Sequence, residues 1–313
     1  MKVFVLAPKE NWICDRFVSE WLAAHPENTT SYLEEADIIW LLADWCWNHL
    51  PPNILKDKKV IASVHHIVPE KFGINESREF VLRDQFIDFY HVPCHKTHDQ
   101  IKSLTSKPIY TFPFWANQNI WSNQRHRKDL LREKYGISKE AYLIGSFQRD
   151  TEGHDLKSPK LEKGPDLLCD AIIEKRNYRA NKGQTDVEVL LAGWRRQYVM
   201  KRLSDSKINY HYHELPDLST INDFYAMLDL YIVAARYEGG PQAIFECALT
   251  KTPIISTDVG AASMILSKKS IFTPGESLKS FPDTNKAYQN VTKYIIPTGF
   301  ENFEKALHEI HKK

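Results

Sequence analysis

Apolar positions fall into short runs separated by gaps long enough for a helix. In the first half, residues 2–7 (KVFVLA), 36–42 (ADIIWLL), 60–64 (VIASV) and 86–92 (FIDFYHV) read as strands, each followed by polar loop residues. Residues 11–25 carry helical spacing through Trp12, Phe17, Val18, Trp21 and Leu22. In the second half, residues 141–147, 187–192, 230–235 and 253–257 read as strands, and residues 129–135 and 222–228 as helices. A further helix is expected from Pro241, another after the turn at 258–260, and an amphipathic one over 300–311 with Phe300, Phe303, Leu307 and Ile310 on one face. Strands alternating with helix-length gaps predict parallel sheets covered by helices, an α/β class. Residues 109–121 (IYTFPFWANQNIW) are aromatic, proline-bearing and without helical period, which suits a crossing between two halves.

The 313 residues suffice for two domains with cores of their own. The formal net charge of +1 gives no electrostatic case for nucleic acid as a partner. Five cysteines, odd in number and without a CxxC pair, read as reduced thiols of a cytosolic protein. The opening MKVFVLAP is too short for a signal peptide, and no stretch approaches the ~20 apolar residues of a membrane span. Trp12, Trp21, Trp40, Trp45 and Trp47 crowd the start of the chain, as filling for a small core or as a surface for sugar or a membrane interface. His91, His95 and His98 could suggest a metal, but Pro93 breaks the helical register between the first two and no carboxylate completes a set, so none is expected.

Chemistry concentrates in residues 229–266. The buried strand ends in Arg236, Tyr237, Glu238, Gly239 and Gly240, and Pro241 occupies the first helical position, where its missing amide proton costs nothing. Glycines let a ligand approach the backbone, and the helix start offers amides and a partial positive charge. Gln242 and Glu246 lie four apart on one face, with Glu246 turned up the groove toward Glu238, so two carboxylates can hold hydroxyls of two rings of one ligand.

Glu238, the seven residues between, Glu246 and the following PIISTDVG resemble the donor signature of retaining glycosyltransferases of the GT-B fold, glycosyltransferase family 4. The resemblance implies two Rossmann-like α/β/α domains with parallel sheets facing a cleft. Residues 1–117 would bind acceptor, 118–293 would bind the nucleotide sugar, and a crossover helix in 294–313 would return to the first domain. It implies that Glu238, as a catalytic as well as a binding residue, contacts the donor sugar with the backbone of Gly239 and Gly240, that Pro241 and Gln242 belong to the donor site, and that Glu246 contacts the ribose. In GSFQRDTEGHDLKSPKLEKGPDLLCDAI it implies that Arg149 and Lys163 bind the diphosphate, with Lys157 and Lys160 as rivals to Lys163 in a loop longer than the family's. Arg195 or Arg196 could also reach the nucleotide or phosphate. ASVHHIVPEKF resembles the place of the family's histidine near the reacting sugar, with His65 preferred and His66 close behind.

No metal or other cofactor is implied, and no DxD motif is present to hold one. The donor expected is a UDP- or GDP-sugar, and the acceptor a glycan, a lipid-linked sugar or a small molecule, met in the cytoplasm or at the inner face of a membrane. The alternatives are a GT-B sugar-nucleotide epimerase and a non-catalytic sugar-nucleotide-binding protein. An NAD oxidoreductase lacks its glycine fingerprint here.

Overall fold

The computed structural model describes residues 1–10 and 13–313, which form two compact units: Met1–Trp115 with Ile296–Lys313, and Ala116–Ile295. Asn11 and Trp12, where the first helix was expected to begin, lie outside the described residues.

In the first unit, β1 (Val3–Leu6), β2 (Ile38–Leu41), β3 (Lys59–Ser63), β4 (Phe89–Val92) and β5 (Ile109–Thr111) form a parallel sheet in chain order. The IIWL of β2 is buried throughout because both faces are covered, the pattern of parallel sheets. Successive side chains alternate. Ile38 and Trp40 pack with Phe17 and Trp21 of α1 (Ile13–Ala24), while Ile39 and Leu41 join a second core under α2 (Pro52–Asp57), α3 (Ile74–Asp84) and α4 (His95–Ile101). Of the early tryptophans described, Trp21 and Trp40 fill core and Trp45 stays half exposed.

The stretch expected as a crossing begins as a strand. Ile109 pairs with Tyr90 of β4, and Phe114 and Trp115 lie in the first core. The units therefore divide between Trp115 and Ala116, two residues before the expected boundary, and the chain re-enters the first unit at Ile296 rather than 294. Pro108 and Pro113 flank the strand and hid it; at a sheet edge both are tolerated.

The second unit is built on a six-stranded parallel sheet in the order β10-β9-β6-β11-β12-β13. Its strands are β6 (Tyr142–Ser146), β9 (Val187–Ala192), β10 (Tyr210–His213), β11 (Leu230–Val233), β12 (Ile254–Thr257) and the edge strand β13 (Ile271–Phe272), which lacks any alternation to announce it. A small antiparallel hairpin, β7 (Thr151–Glu152) with β8 (Ser158–Pro159), stands in the loop after β6. The helices are α5 (Lys128–Lys134), α6 (Pro165–Asn181), α7 (Gln197–Asp205), α8 (Leu218–Met227), α9 (Gln242–Thr250), α10 (Ala262–Ile265) and α11 (Thr284–Val291). The last helix, α12 (Glu301–Lys312), belongs to the first unit and buries Phe303, Ala306, Leu307 and Ile310 there. No helix of the described residues is long and apolar enough to cross a membrane.

Candidate functional site

The chain builds β6, moves outward to β9 and β10, then returns to the other side of β6 with β11. Connections leaving the carboxyl ends of β6 and β11 thus diverge, and open α/β sheets bind ligands in that crevice. Residues 147–164 leave one side of it and residues 234–241 the other.

The two loops are fastened to each other. Gly164, at φ +61°, turns into α6 so close to β11 that a Cβ would lie 1.8 Å from the Ala234 carbonyl oxygen. The amides of Arg236 and Tyr237 donate to the Glu162 carbonyl, and the Arg236 guanidinium forks onto both Asp166 carboxylate oxygens at 2.8 and 2.6 Å. From the other flank Gly260, at φ +52°, leaves room for the Gly239 carbonyl, which a Cβ would meet at 2.3 Å.

This stapling brings Lys163 to Glu238, and their side chains form an ion pair. Of the three loop lysines it is Lys163 that reaches this carboxylate; Lys160 lies 3.7 Å from Glu162, and Lys157 is exposed. Gly239 is buried and Gly240 half-buried beside them. Pro241 takes the capping position with φ −55°, so α9 begins at Gln242, one residue later than expected, and no side chain caps its first turn. Glu246 sits on α9 at 8% exposure, and its Oε2 accepts from the Tyr225 hydroxyl of α8 at 2.8 Å. Burial, then the charge of Glu246, pushes the Tyr225 phenol well above its ordinary pKa, so it stays a donor.

Arg149 is half-buried, with its guanidinium carbon 5.0 Å from the Trp194 ring and its Nε donating to the Thr151 carbonyl. The two arginines after β9 separate sharply. Arg196 is wholly buried, paired with Asp150 and donating to the carbonyls of Ser146 and Ala192. It bolts the ends of β6 and β9 together and is no flexible phosphate ligand. Arg195 remains near the surface of the loop.

In the first unit, His65 and His66 follow β3 at its carboxyl end, both half-buried. His65 bonds through Nε2 to the Leu42 carbonyl at 2.9 Å, which places the ring proton on Nε2, and stacks on Phe114 at 5.4 Å. The backbone is held by Thr97, whose hydroxyl donates to the His65 carbonyl. Behind His66 the chain runs past an apolar hollow of about 300 Å³ lined by Ile67, Pro69, Phe72, Gln100 and Leu104. His91, His95 and His98 do not converge: His91 is buried between Ser63 and the Phe112 carbonyl, His95 is exposed, and His98 faces Asp99.

A larger hollow of about 560 Å³ lies at the amino ends of β9 and β10, where Glu188 and His211 pair at 2.7 Å. It is at the opposite end of the sheet from the glycine loops, so the fastened loops rather than the larger volume mark the site. Tyr225, Trp194 and the Arg236–Asp166 fork escaped sequence reading. Glu246, Arg149 and Asp166, their respective partners, are far away in the chain, and a tyrosine in an apolar helix or a loop tryptophan carries no motif.

Residues 156–290 match the family model of glycosyl transferases group 1. The match contains Lys163, Glu238 and Glu246 and leaves Arg149, His65 and His66 outside. No curated protein matches the chain at significant similarity. Among solved structures, Anabaena HepE in complex with UDP and glucose superposes with a TM-score of 0.77 at 13% identity, covering 98% of this chain and 99% of that one. The sucrose-phosphate synthase of Thermosynechococcus elongatus gives 0.58 at 11% identity over 98% of this chain and 76% of its own. A glycosyltransferase from Rickettsia africae gives 0.62 at 13% identity over 98% and 84%. At these identities the likeness establishes the fold, which is that of GT-B glycosyltransferases. With the group 1 match over residues 156–290, the chain is a glycosyl-transferring enzyme, EC 2.4 class.

Proposed function

We propose that the chain is a retaining glycosyltransferase of family 4 type, moving a sugar from a nucleoside-diphosphate donor to a glycan, a lipid-linked sugar or a small-molecule acceptor. The observation that carries this is the fastening of two glycine loops at the β6/β11 divergence, which sets Lys163 against Glu238 and puts Glu246 one helix turn beyond the uncapped start of α9. Lys163 and Arg149 are assigned to the diphosphate, where each charge-assisted hydrogen bond is worth about 1.5–3 kcal/mol and positive charge meets the negative charge that grows as the nucleotide leaves. Glu238 and the backbone of Gly239 and Gly240, with Pro241 and Gln242, are assigned to the donor sugar, and Glu246 to the ribose. Lys163 is paired with Glu238, and donor binding would exchange that partner for phosphate and turn the carboxylate over to hydroxyls.

The first unit is assigned the acceptor, with His65 or His66 near the reacting carbon. The apolar hollow behind His66 favours an acceptor with an apolar segment, such as a lipid-linked sugar presented at the inner face of a membrane. The leaving phosphate would take the acceptor proton on the same face of the sugar, with no metal in the step. HepE, solved with UDP and glucose, supports UDP before GDP as the base carrier.

The test is a melting and hydrolysis screen of wild type and Glu246→Ala against UDP-, GDP-, ADP- and CMP-sugars. A ligand at a hundred times its Kd stabilises by about 2.7 kcal/mol, an upward shift of several degrees. The expected outcome is such a shift with one nucleotide, lost in Glu246→Ala and joined by slow release of free nucleotide. No binding of any sugar nucleotide below millimolar concentration would sink the proposal.

A further inference from the structure

We infer that Arg195 is a second guanidinium ligand of the donor diphosphate, and that Trp194 is the platform setting it beside Arg149; this rests on the donor reading above. The loop 193–196 leaves the carboxyl end of β9, the neighbour of β6, and so lies beside the loop that carries Arg149. Trp194 is 40% exposed, and the guanidinium carbons of Arg149 and Arg195 stand 5.0 and 4.5 Å from its ring. Two cations thus converge on one indole.

Neither has a counter-ion among the described residues. Among the described residues no carboxylate lies within ion-pair distance of Arg149 or Arg195, and nearby Asp150 is committed to Arg196. Each arginine spends one donor on a hairpin carbonyl, Arg149 on Thr151 and Arg195 on Gly153, both at a long 3.3 Å. The Arg195 Nε is buried with no hydrogen-bond partner. Two like charges held together by cation–π attraction and one long carbonyl hydrogen bond each form an arrangement that an anion completes. Planar forks with several unused donors suit the oxygens of a diphosphate.

The backbone is arranged for this placement. Arg195 has φ +56°, the left-handed region that residues other than glycine rarely adopt. It is fixed there by two amides, Asp150 at 3.2 Å and Thr151 at 3.0 Å, that donate to its carbonyl. Gly193, at φ +98°, makes the turn that swings the loop out from β9.

The experiment titrates UDP, GDP, ADP, uridine and inorganic pyrophosphate into wild type, Arg195→Gly and Trp194→Ala by calorimetry. Glycine accepts the positive φ without strain, so Arg195→Gly removes the guanidinium while its melting temperature stays at or above wild type. The expected result is a loss of about ten- to hundredfold in affinity for the nucleoside diphosphate and for pyrophosphate, with uridine unchanged. Unchanged diphosphate affinity in Arg195→Gly overturns the inference, and so does an equal loss for uridine. A wild type that binds pyrophosphate but no nucleoside diphosphate, with the pyrophosphate lost in Arg195→Gly, sustains the paired arginines and sinks the donor reading. Binding of neither sinks both.

Discussion

Tyr225 and Glu246 stand on different helices and share one interior hydrogen bond of 2.8 Å. The phenol is the donor, and it fixes which way the carboxylate presents its other oxygen. Tyr225→Phe keeps the ring in its packed place and removes that donor, so we expect nucleotide affinity to fall by about 1–2 kcal/mol, with the melting temperature lower by a few degrees because a buried carboxylate loses a donor. Calorimetry with UDP checks this, and an unchanged Kd would deny Tyr225 any positioning role. The contrast with Glu238 and Glu246 shows what the chain reveals at this scale. Those two glutamates are legible because they sit at a fixed spacing around a glycine turn, a local pattern. Tyr225 is 21 residues from its partner, and Arg196 is 46 from Asp150, so both depend on which strands become neighbours. Arg196 follows a strand like a ligand-binding residue, yet it spends its donors on the ends of β6 and β9.

Elements of the first unit are crossed by one hydrogen-bonded chain. Trp40 Nε1 of β2 donates to Ser63 Oγ of β3, that hydroxyl donates to His91 Nδ1 of β4, and His91 Nε2 donates to the Phe112 carbonyl beyond β5. Every group is satisfied only while the imidazole is neutral. Burial lowers the His91 pKa to about 3, with the nearby His65 lowering it further and the Phe112 carbonyl opposing. The unfolded ring titrates near 6.5, so between about 6.5 and 3 the unfolded state binds the proton and stability falls as the pH falls. From pH 6.5 to 5 the loss is about 2 kcal/mol. His91→Gln keeps hydrogen-bonding capacity without the titration, so its melting temperature should fall less steeply than that of wild type over this window. Equal slopes would show that His91 does not set the acid sensitivity. At this scale β2, β3, β4 and β9 announce themselves as apolar runs. The edges β5 and β13 do not, because three residues between prolines, or two residues at the end of a sheet, carry too little pattern for periodicity to register. The hairpin β7–β8 hid inside a charged loop for the same reason.

Over the whole molecule, two parallel sheets with helix cover were readable from alternation of runs and gaps, since fully buried parallel strands must be nearly all apolar. The division between units was less so, because Phe114 and Trp115 look like the linker around them until the core they fill is known. The same inward tendency governs sulfur. All five cysteines are buried, and burial raises the thiols of Cys14 and Cys169 to about 12 and that of Cys46 to about 11. A protein whose native thiols are silent accepts a probe at a chosen spot without cysteine-stripping. The hairpin tip, with His154 exposed between strands bolted down through Asp150 and Arg196, lies beside the paired arginines. A maleimide dye on His154→Cys should couple at about one equivalent in native buffer, with wild type unlabelled until denatured. Its fluorescence would then report occupancy of the neighbouring loops in real time, giving a sensor for the proposed donor.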